Sequence, residues 1–120
     1  NVSCMPKDEA GCVLFRALEP VAGIQEMAAH RDLELADEPR VTQLRMLTSG
    51  PGRMAEALAI TRDQDNGKDL TEARSHLWLA DDGVRPERVA VTPRIGITKA
   101  MEEPLRFLIP GNPFVSGKRG

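Results

Sequence analysis

The amino-acid sequence predicts an α+β fold, in which a mainly antiparallel sheet is flanked by two or three helices. Four short segments have the apolar runs or the alternation of strands, and other segments place apolar residues at helical spacing. Elements of both kinds in one chain pack as layers around a common core. A chain of 120 residues is one domain or a part of one.

The first predicted elements are a strand and a helix. Residues 12–18 are mostly apolar and end at a proline turn, which predicts a short buried strand. A helix follows over residues 23–30, where Ile24, Met27 and Ala28 share one face. We expect that face to lie in the core.

An acidic loop and a helical corner come next. Residues 32–40 are acidic and contain a proline, so they predict a loop before a short helix over residues 41–47. The cluster at residues 48–52 should end that helix and begin another, with Ser49 or Gly50 near the cap and Pro51 in the first turn. The apolar face of this third helix, which ends near Ile60, consists of Met54, Ala57, Leu58 and Ala59.

The second half of the chain predicts a polar loop and three strands. Residues 61–71 are rich in Asp, Asn and Gly and should be an exposed loop. Residues 76–80, 87–92 and 105–109 have the pattern of strands. Because its strand alternates cleanly, Trp78 is predicted to lie in the core.

Composition excludes several classes of protein. The longest apolar run, residues 11–15, is too short for a signal peptide or a membrane span. Cys4 and Cys12 are too few for a tetrahedral metal site or a disulfide framework, and we expect both to be small buried apolar residues. Aromatic residues are scarce, so residues that stack on bases lie elsewhere or there is no base pocket. A net charge of −2 still allows a basic patch on one face.

Two features could carry chemistry. The corner at residues 50–53 places glycines and an arginine at a helix start, where free N–H groups can bind phosphate, although an ordinary helix start would have the same residues. Arg16 interrupts an apolar strand, so it either faces solvent or is buried with an acceptor. His30 and His76 have no companions at ligand spacing and are assigned no function.

Six segments, in this order, resemble the alkyladenine (3-methyladenine) DNA glycosylase family. They are Asn1-Val2-Ser3, Arg16-Ala17-Leu18-Glu19-Pro20, Leu47-Thr48-Ser49-Gly50-Pro51-Gly52-Arg53-Met54, Ala57-Leu58-Ala59-Ile60, Pro93-Arg94-Ile95-Gly96-Ile97, and Arg106-Phe107 with Gly111-Asn112-Pro113-Phe114-Val115-Ser116. By this resemblance, residues 1–120 are the C-terminal part of a single DNA glycosylase domain. Its curved antiparallel sheet with flanking helices would resemble the C-terminal domain of methionyl-tRNA formyltransferase.

The resemblance implies a monofunctional DNA-3-methyladenine glycosylase, a hydrolase of base-excision repair. Such an enzyme flips an alkylated or deaminated purine out of double-stranded DNA and hydrolyses its N-glycosidic bond. It implies a monomer that needs no metal, cofactor or membrane. Such a protein would be cytoplasmic and associated with the nucleoid if it is bacterial, and nuclear if it is eukaryotic. The catalytic glutamate and the stacking aromatic residues would lie upstream of the position matching Asn1, so we expect the chain alone to be inactive.

The resemblance also implies roles for four residues near the reacting bond. Asn1 matches the substrate-binding asparagine that screens purines by their exocyclic groups. Arg16 matches the arginine that helps to hold the nucleophilic water. Ile95 matches the position whose backbone carbonyl contacts the same water, and Gly96 lies next to it at the substrate.

Four further residues match positions that bind DNA phosphates in the family. Gly50, Gly52 and Arg53 match the phosphate-holding corner, and Arg62 matches a further basic contact.

Two other interpretations remain open at this point. The chain could be a non-enzymatic nucleic-acid-binding module, like the RNA-binding C-terminal domain of methionyl-tRNA formyltransferase. Such a module would not need the motifs at residues 93–97 and 111–116. Alternatively, the chain could be a structural domain whose glycine corner is only a turn.

Overall fold

Residues 1–117 are described by a computed structural model, and within them the chain forms four helices and two two-stranded antiparallel sheets. In order, the elements are β1 (Val2–Ser3), β2 (Cys12–Val13), α1 (Ile24–His30), α2 (Val41–Thr48), α3 (Pro51–Ala57), α4 (Arg62–Asp65), β3 (Ala90–Thr92) and β4 (Arg106–Leu108). The α+β class and the antiparallel pairing are confirmed, whereas the strands form two small sheets, β1–β2 and β3–β4. No helix within the described range is long and apolar enough to cross a membrane.

The core is helical and lies between α1, α2 and α3. It consists of four buried residues, which are Met27, Ala28, Leu47 and Ala57. Partly buried side chains that pack against them are Ile24, Leu33, Leu35 and Leu44. The predicted apolar face of α1 is therefore confirmed, and the acidic 32–40 loop contributes two leucines to the edge of the core.

Local backbone chemistry sets where the helices begin and end. Gly23 precedes α1 in a left-handed conformation, with φ 70°. Gly50 is the N-cap of α3 and Pro51 is its first residue, as predicted from the sequence. Proline suits this place because its fixed φ is helical and the first N–H has no helical acceptor.

Side chains at the end of α1 tie the three helices together. His30 donates from Nδ1 to the Ala57 carbonyl oxygen at 2.8 Å, which joins α1 to α3. Arg31 donates from Nη2 to the Met46 carbonyl at 3.1 Å and from Nη1 to Glu56 at 3.3 Å. The last carbonyls of a helix lack partners within it, so Arg31 stabilises the end of α2.

The β3–β4 sheet buries one face and exposes the other. Val91 is opposite Phe107, and Ala90 is opposite Leu108, which is 7% exposed. Successive side chains alternate between faces, so odd-numbered residues of both strands share the outer face. The apolar residues exposed on or beside it are Val89, Val91, Leu105, Phe107 and Ile109.

The predicted buried strand over residues 12–18 is wrong in length and in burial. Only Cys12–Val13 pair as a strand, with Ser3 and Val2, and Val13 is 49% exposed. Both cysteines are exposed, so their predicted burial is also wrong. The reason is that β1 covers only the hydrogen-bonding edge of β2 and leaves its faces open.

For residues 54–80, two predictions are wrong, and the predicted exposed loop over residues 61–71 contains one short helix. The third helix ends at Ala57 and Ala59 has φ 53°, so Leu58 and Ala59 are exposed rather than in the core. Residues 62–65 form α4 inside the predicted loop, because the Thr61 hydroxyl accepts the Gln64 amide at 3.2 Å and caps it. Residues 76–80 form no strand, and Trp78 is 48% exposed. Alternation alone makes no strand without a neighbouring strand to pair with.

The last two predicted strands are confirmed in part, the first in its C-terminal half and the second at its centre. The pattern over residues 87–92 contracts to Ala90–Thr92, and that over residues 105–109 contracts to Arg106–Leu108.

Candidate functional site

The candidate site is organised by an antiparallel contact between residues 16–18 and residues 48–50. Ala17 and Ser49 form an isolated bridge, and the Gly50 amide donates to the Arg16 carbonyl at 2.8 Å. The Leu18 amide donates to the Thr48 carbonyl at 3.4 Å, which gives the C-terminal end of α2 a donor. The backbone of Arg16 is thus attached to the corner that begins α3.

The side chain of Arg16 extends from this contact towards a distant part of the chain. A Cβ placed on Gly96 would lie 4.0 Å from the Nη2 atom of Arg16. Arg16 is an exposed residue, and it lies outside the short strand β2. The structure therefore brings together Arg16 and the Ile95–Gly96 pair, two elements that the sequence separates by about 80 residues.

The loop that carries Ile95 rests against the end of the described chain. A Cβ placed on Gly117 would lie 2.5 Å from Ile95 Cδ1, so the two residues are in close contact. Arg106 donates from Nη2 to the Ser116 carbonyl at 2.8 Å and from Nη1 to the Thr92 hydroxyl at 3.3 Å. Arg106 therefore ties the terminal segment to β3, directly before the Ile95 loop.

The motif at residues 111–116 is a turn that places its backbone for these contacts. The Asn112 side chain accepts the Phe114 amide at 2.8 Å, and Phe114 is 9% exposed. Arg45 of α2 donates from Nη2 to the Val115 carbonyl at 3.3 Å. The sequence analysis assigned no role to Arg45 or Arg106. The sequence does contain a signal for Arg106. Arg106 lies two residues before Leu108 in β4, so its side chain is on the same face of the strand as the buried leucine.

The corner at residues 50–53 is open to solvent. Gly50 has φ 105° and ψ 147°, angles that residues with a side chain rarely adopt. A Cβ placed on Gly50 or on Gly52 would meet nothing within 4 Å. Because the Gly50 amide is bonded to the Arg16 carbonyl, the amides left for a ligand are those of Gly52 and Arg53, which have no acceptor within the helix.

The two arginines predicted to bind phosphate, Arg53 in the first turn of α3 and Arg62 at the start of α4, are exposed. Within residues 1–117, neither Arg53 nor Arg62 forms an ion pair or a side-chain hydrogen bond. The turn that carries Arg62 is held by Asp65, whose carboxylate accepts Lys68 Nζ at 2.6 Å and the Thr61 amide at 2.9 Å. These bonds, that of Lys68 first, lower the pKa of Asp65 below its usual value. No cluster of three metal-ligating side chains occurs in the described range.

Asn1 is placed by the β1–β2 hairpin. The register pairs Val2 with Val13 and Ser3 with Cys12, and one further step sets Asn1 opposite Leu14. Asn1 is exposed at the end of the hairpin from which the chain continues to residue 16. Of the predicted site residues, Arg16 lies beside Gly96 through its guanidinium and is bonded to Gly50 through its carbonyl.

The family model for methylpurine-DNA glycosylase matches residues 1–113. This range includes every predicted site residue, the motif at residues 93–97 and the first half of the motif at residues 111–116.

Similar curated proteins are bacterial and are provisionally named 3-methyladenine DNA glycosylase. One from Koribacter versatilis (strain Ellin345) is 57% identical over 119 residues, which is 99% of this chain and 55% of the relative. One from Rhodopirellula baltica is 44% identical over 92% of this chain and 47% of the relative, and one from Mesorhizobium japonicum is 46% identical over 89% and 47%. The chain therefore spans about half the length of the curated relatives it matches.

Two glycines of the corner provide a matched test of its backbone. Gly50→Ala forces a Cβ into unfavourable backbone angles, whereas Gly52→Ala enters an ordinary helical position, and both have open space around them. We expect Gly50→Ala to lower the free energy of unfolding by about 1–3 kcal/mol. Gly52→Ala should leave it unchanged or raise it by up to about 1 kcal/mol. Urea denaturation of both variants measures the difference, and equal stabilities would contradict the observed conformation of Gly50.

Proposed function

This chain belongs to the methylpurine-DNA glycosylase family, and we propose that the family-length protein hydrolyses the N-glycosidic bond of damaged purines in duplex DNA. The observation that carries the proposal is that Arg16 contacts two separate parts of the candidate site. Its guanidinium lies beside Gly96, and its carbonyl holds the Gly50 amide. One residue thus joins a candidate reaction centre to a candidate phosphate site.

The proposed reaction is displacement of the purine by water. The bond between the sugar C1′ and the purine nitrogen breaks, the oxygen of water bonds to C1′, and the purine leaves as the free base. A cationic alkylated purine leaves as a neutral molecule, whereas a neutral deaminated purine takes up a proton as it leaves. The target bond is hidden in stacked DNA, so the nucleotide must first be flipped out. Following the family resemblance, a glutamate in the part of the protein that this chain does not span removes the proton from water.

This chain would position the water and recognise the purine. Arg16 would orient the water, and the Ile95 backbone carbonyl would accept a hydrogen bond from it. The Arg16 guanidinium lies beside Gly96, the residue that follows Ile95, and this proximity supports a ligand shared by Arg16 and the Ile95 carbonyl. Asn1 would contact the exocyclic group of the purine, because the hairpin sets it at the end nearer to Arg16.

The corner would hold the phosphates beside the flipped nucleotide. Gly52 and Arg53 would donate their amides, and the exposed guanidinium groups of Arg53 and Arg62 would add charge. The Gly50 amide is bonded to the Arg16 carbonyl and would therefore not donate to a phosphate. Gly50 would instead contribute its backbone conformation, which turns α3 towards the ligand. The protein would act as a monomer without a metal or cofactor.

Arg53→Ala in the family-length protein tests the phosphate contact. We expect weaker binding to damaged and undamaged duplexes alike, because phosphates are the same in both. The slope of log affinity against log salt concentration should decrease by about 1. Arg85→Ala is the control, because its charge is already paired with Asp81 at 3.2 Å. An unchanged slope, or a loss confined to damaged DNA, would remove Arg53 from the phosphate site.

Arg16→Gln in the same protein tests the reaction centre. Glutamine keeps a donor but loses the charge, and charge-assisted hydrogen bonds contribute about 1.5–3 kcal/mol. The single-turnover rate of base release should therefore fall by ~10–200-fold, while affinity for undamaged DNA changes far less. Arg16→Lys keeps the charge but not the planar guanidinium group. Its single-turnover rate should lie between those of the wild type and Arg16→Gln.

The same measurement separates the enzyme from a binding module. A wild-type rate in a folded Arg16→Gln variant would remove Arg16 from the reaction centre. Binding of nucleic acid by the unsubstituted protein without any release of base would favour the non-enzymatic alternative.

A further inference from the structure

Thr48 makes an unusual hydrogen bond for the last residue of a helix. It is 1% exposed, and its hydroxyl donates to the Leu18 carbonyl at 2.7 Å. A threonine inside a helix commonly donates to a carbonyl one turn back in the same helix. Here the hydroxyl leaves α2 and bonds to the segment that carries Arg16.

The geometry of antiparallel pairing explains why a side chain is needed at this place. Two opposite residues of such a pair normally exchange two backbone bonds. The Leu18 amide donates to the Thr48 carbonyl, but the Thr48 amide belongs to α2, where amides donate to the carbonyl four residues back. The hydroxyl therefore supplies the donor that the Leu18 carbonyl would otherwise lack.

We infer that Thr48 is a positioning residue, which holds residues 16–18 so that the Arg16 guanidinium stays beside Gly96. The inference rests on the proposed function. The hydroxyl bond is the shortest of the three that join the two segments, and the other bond to Leu18 is 3.4 Å long. Because Thr48 is buried, water cannot readily replace the hydroxyl. Without the Thr48 hydroxyl, residues 16–18 would be held to the 48–50 segment mainly by the hydrogen bond from the Gly50 amide to the Arg16 carbonyl.

Thr48→Val in the family-length protein is the main test, because valine has nearly the same shape but no donor. With a duplex that contains hypoxanthine, the single-turnover rate of base release should fall about tenfold. Affinity for undamaged duplex should stay within about twofold, since the phosphate contacts remain. Thr48→Ser, which keeps the hydroxyl, should retain a rate within about threefold of wild type.

A matched control lies on the same helix. Thr42 is exposed in the first turn of α2, so Thr42→Val makes the same chemical change away from the 16–18 segment. Its rate should stay within about twofold of wild type. If Thr48→Val does not fold, Thr48→Cys replaces it, because a thiol is only a weak donor and the rate should still fall.

Two results would overturn the inference. One is a wild-type rate in folded Thr48→Val, or in Thr48→Cys if the valine variant does not fold. The other is an equal loss of rate and DNA affinity that serine does not restore, which would make the role of Thr48 structural only.

Hydrogen exchange separates this inference from the proposed function. The Gly50 amide should exchange faster in Thr48→Val than in wild type or Thr42→Val, because residues 16–18 are held less firmly. Unchanged exchange would overturn the positioning role whether or not the protein is an enzyme. If the unsubstituted protein releases no base, the proposed function fails, and the exchange rates still decide whether Thr48 holds the segment.

Discussion

The unpaired carbonyls at the C-terminal end of α2 are the constraint on which the candidate site depends. A helix that ends inside a protein needs donors from elsewhere, and here Leu18 and Arg31 supply them to Thr48 and Met46. Because the Leu18 amide donates to the Thr48 carbonyl, residues 16–18 lie against the turn into α3. The Gly50 amide then completes the contact by donating to Arg16. The need of the last α2 carbonyls for donors thus places Arg16, which connects the corner at residues 50–53 with the Ile95–Gly96 pair.

Arginine has two separate uses in this molecule. Arg31, Arg45 and Arg106 all donate to backbone carbonyls and so tie loops and termini to the helices and to β3. Arg53 and Arg62 are exposed and form no ion pair within residues 1–117. The net charge of −2 conceals this division, because affinity for phosphate depends on where free cations lie. A local site for DNA is therefore compatible with an acidic chain.

What could be predicted from the sequence was local. The face of α1 and the Gly50–Pro51 corner follow from spacing and backbone preference within a few residues, and both predictions are confirmed. The strand patterns around Trp78 and Cys12 depend on what lies beside them, and only a two-residue pairing or none is present. The closeness of Arg16 to Gly96 is non-local, so residue patterns could not reveal it. The family resemblance implied that both residues belong to one site, and in the structure the Arg16 guanidinium lies beside Gly96.

The most direct test of the account is a crystal structure of the family-length protein on duplex DNA that carries a damaged purine nucleotide resistant to hydrolysis. The account predicts that the Arg16 guanidinium and the Ile95 carbonyl contact one water at the flipped nucleotide. It also predicts a DNA phosphate on the amides of Gly52 and Arg53, with the Gly50 amide still bonded to Arg16. A phosphate bound elsewhere, or an Arg16 side chain directed away from Gly96, would contradict the claim that one segment joins both sites.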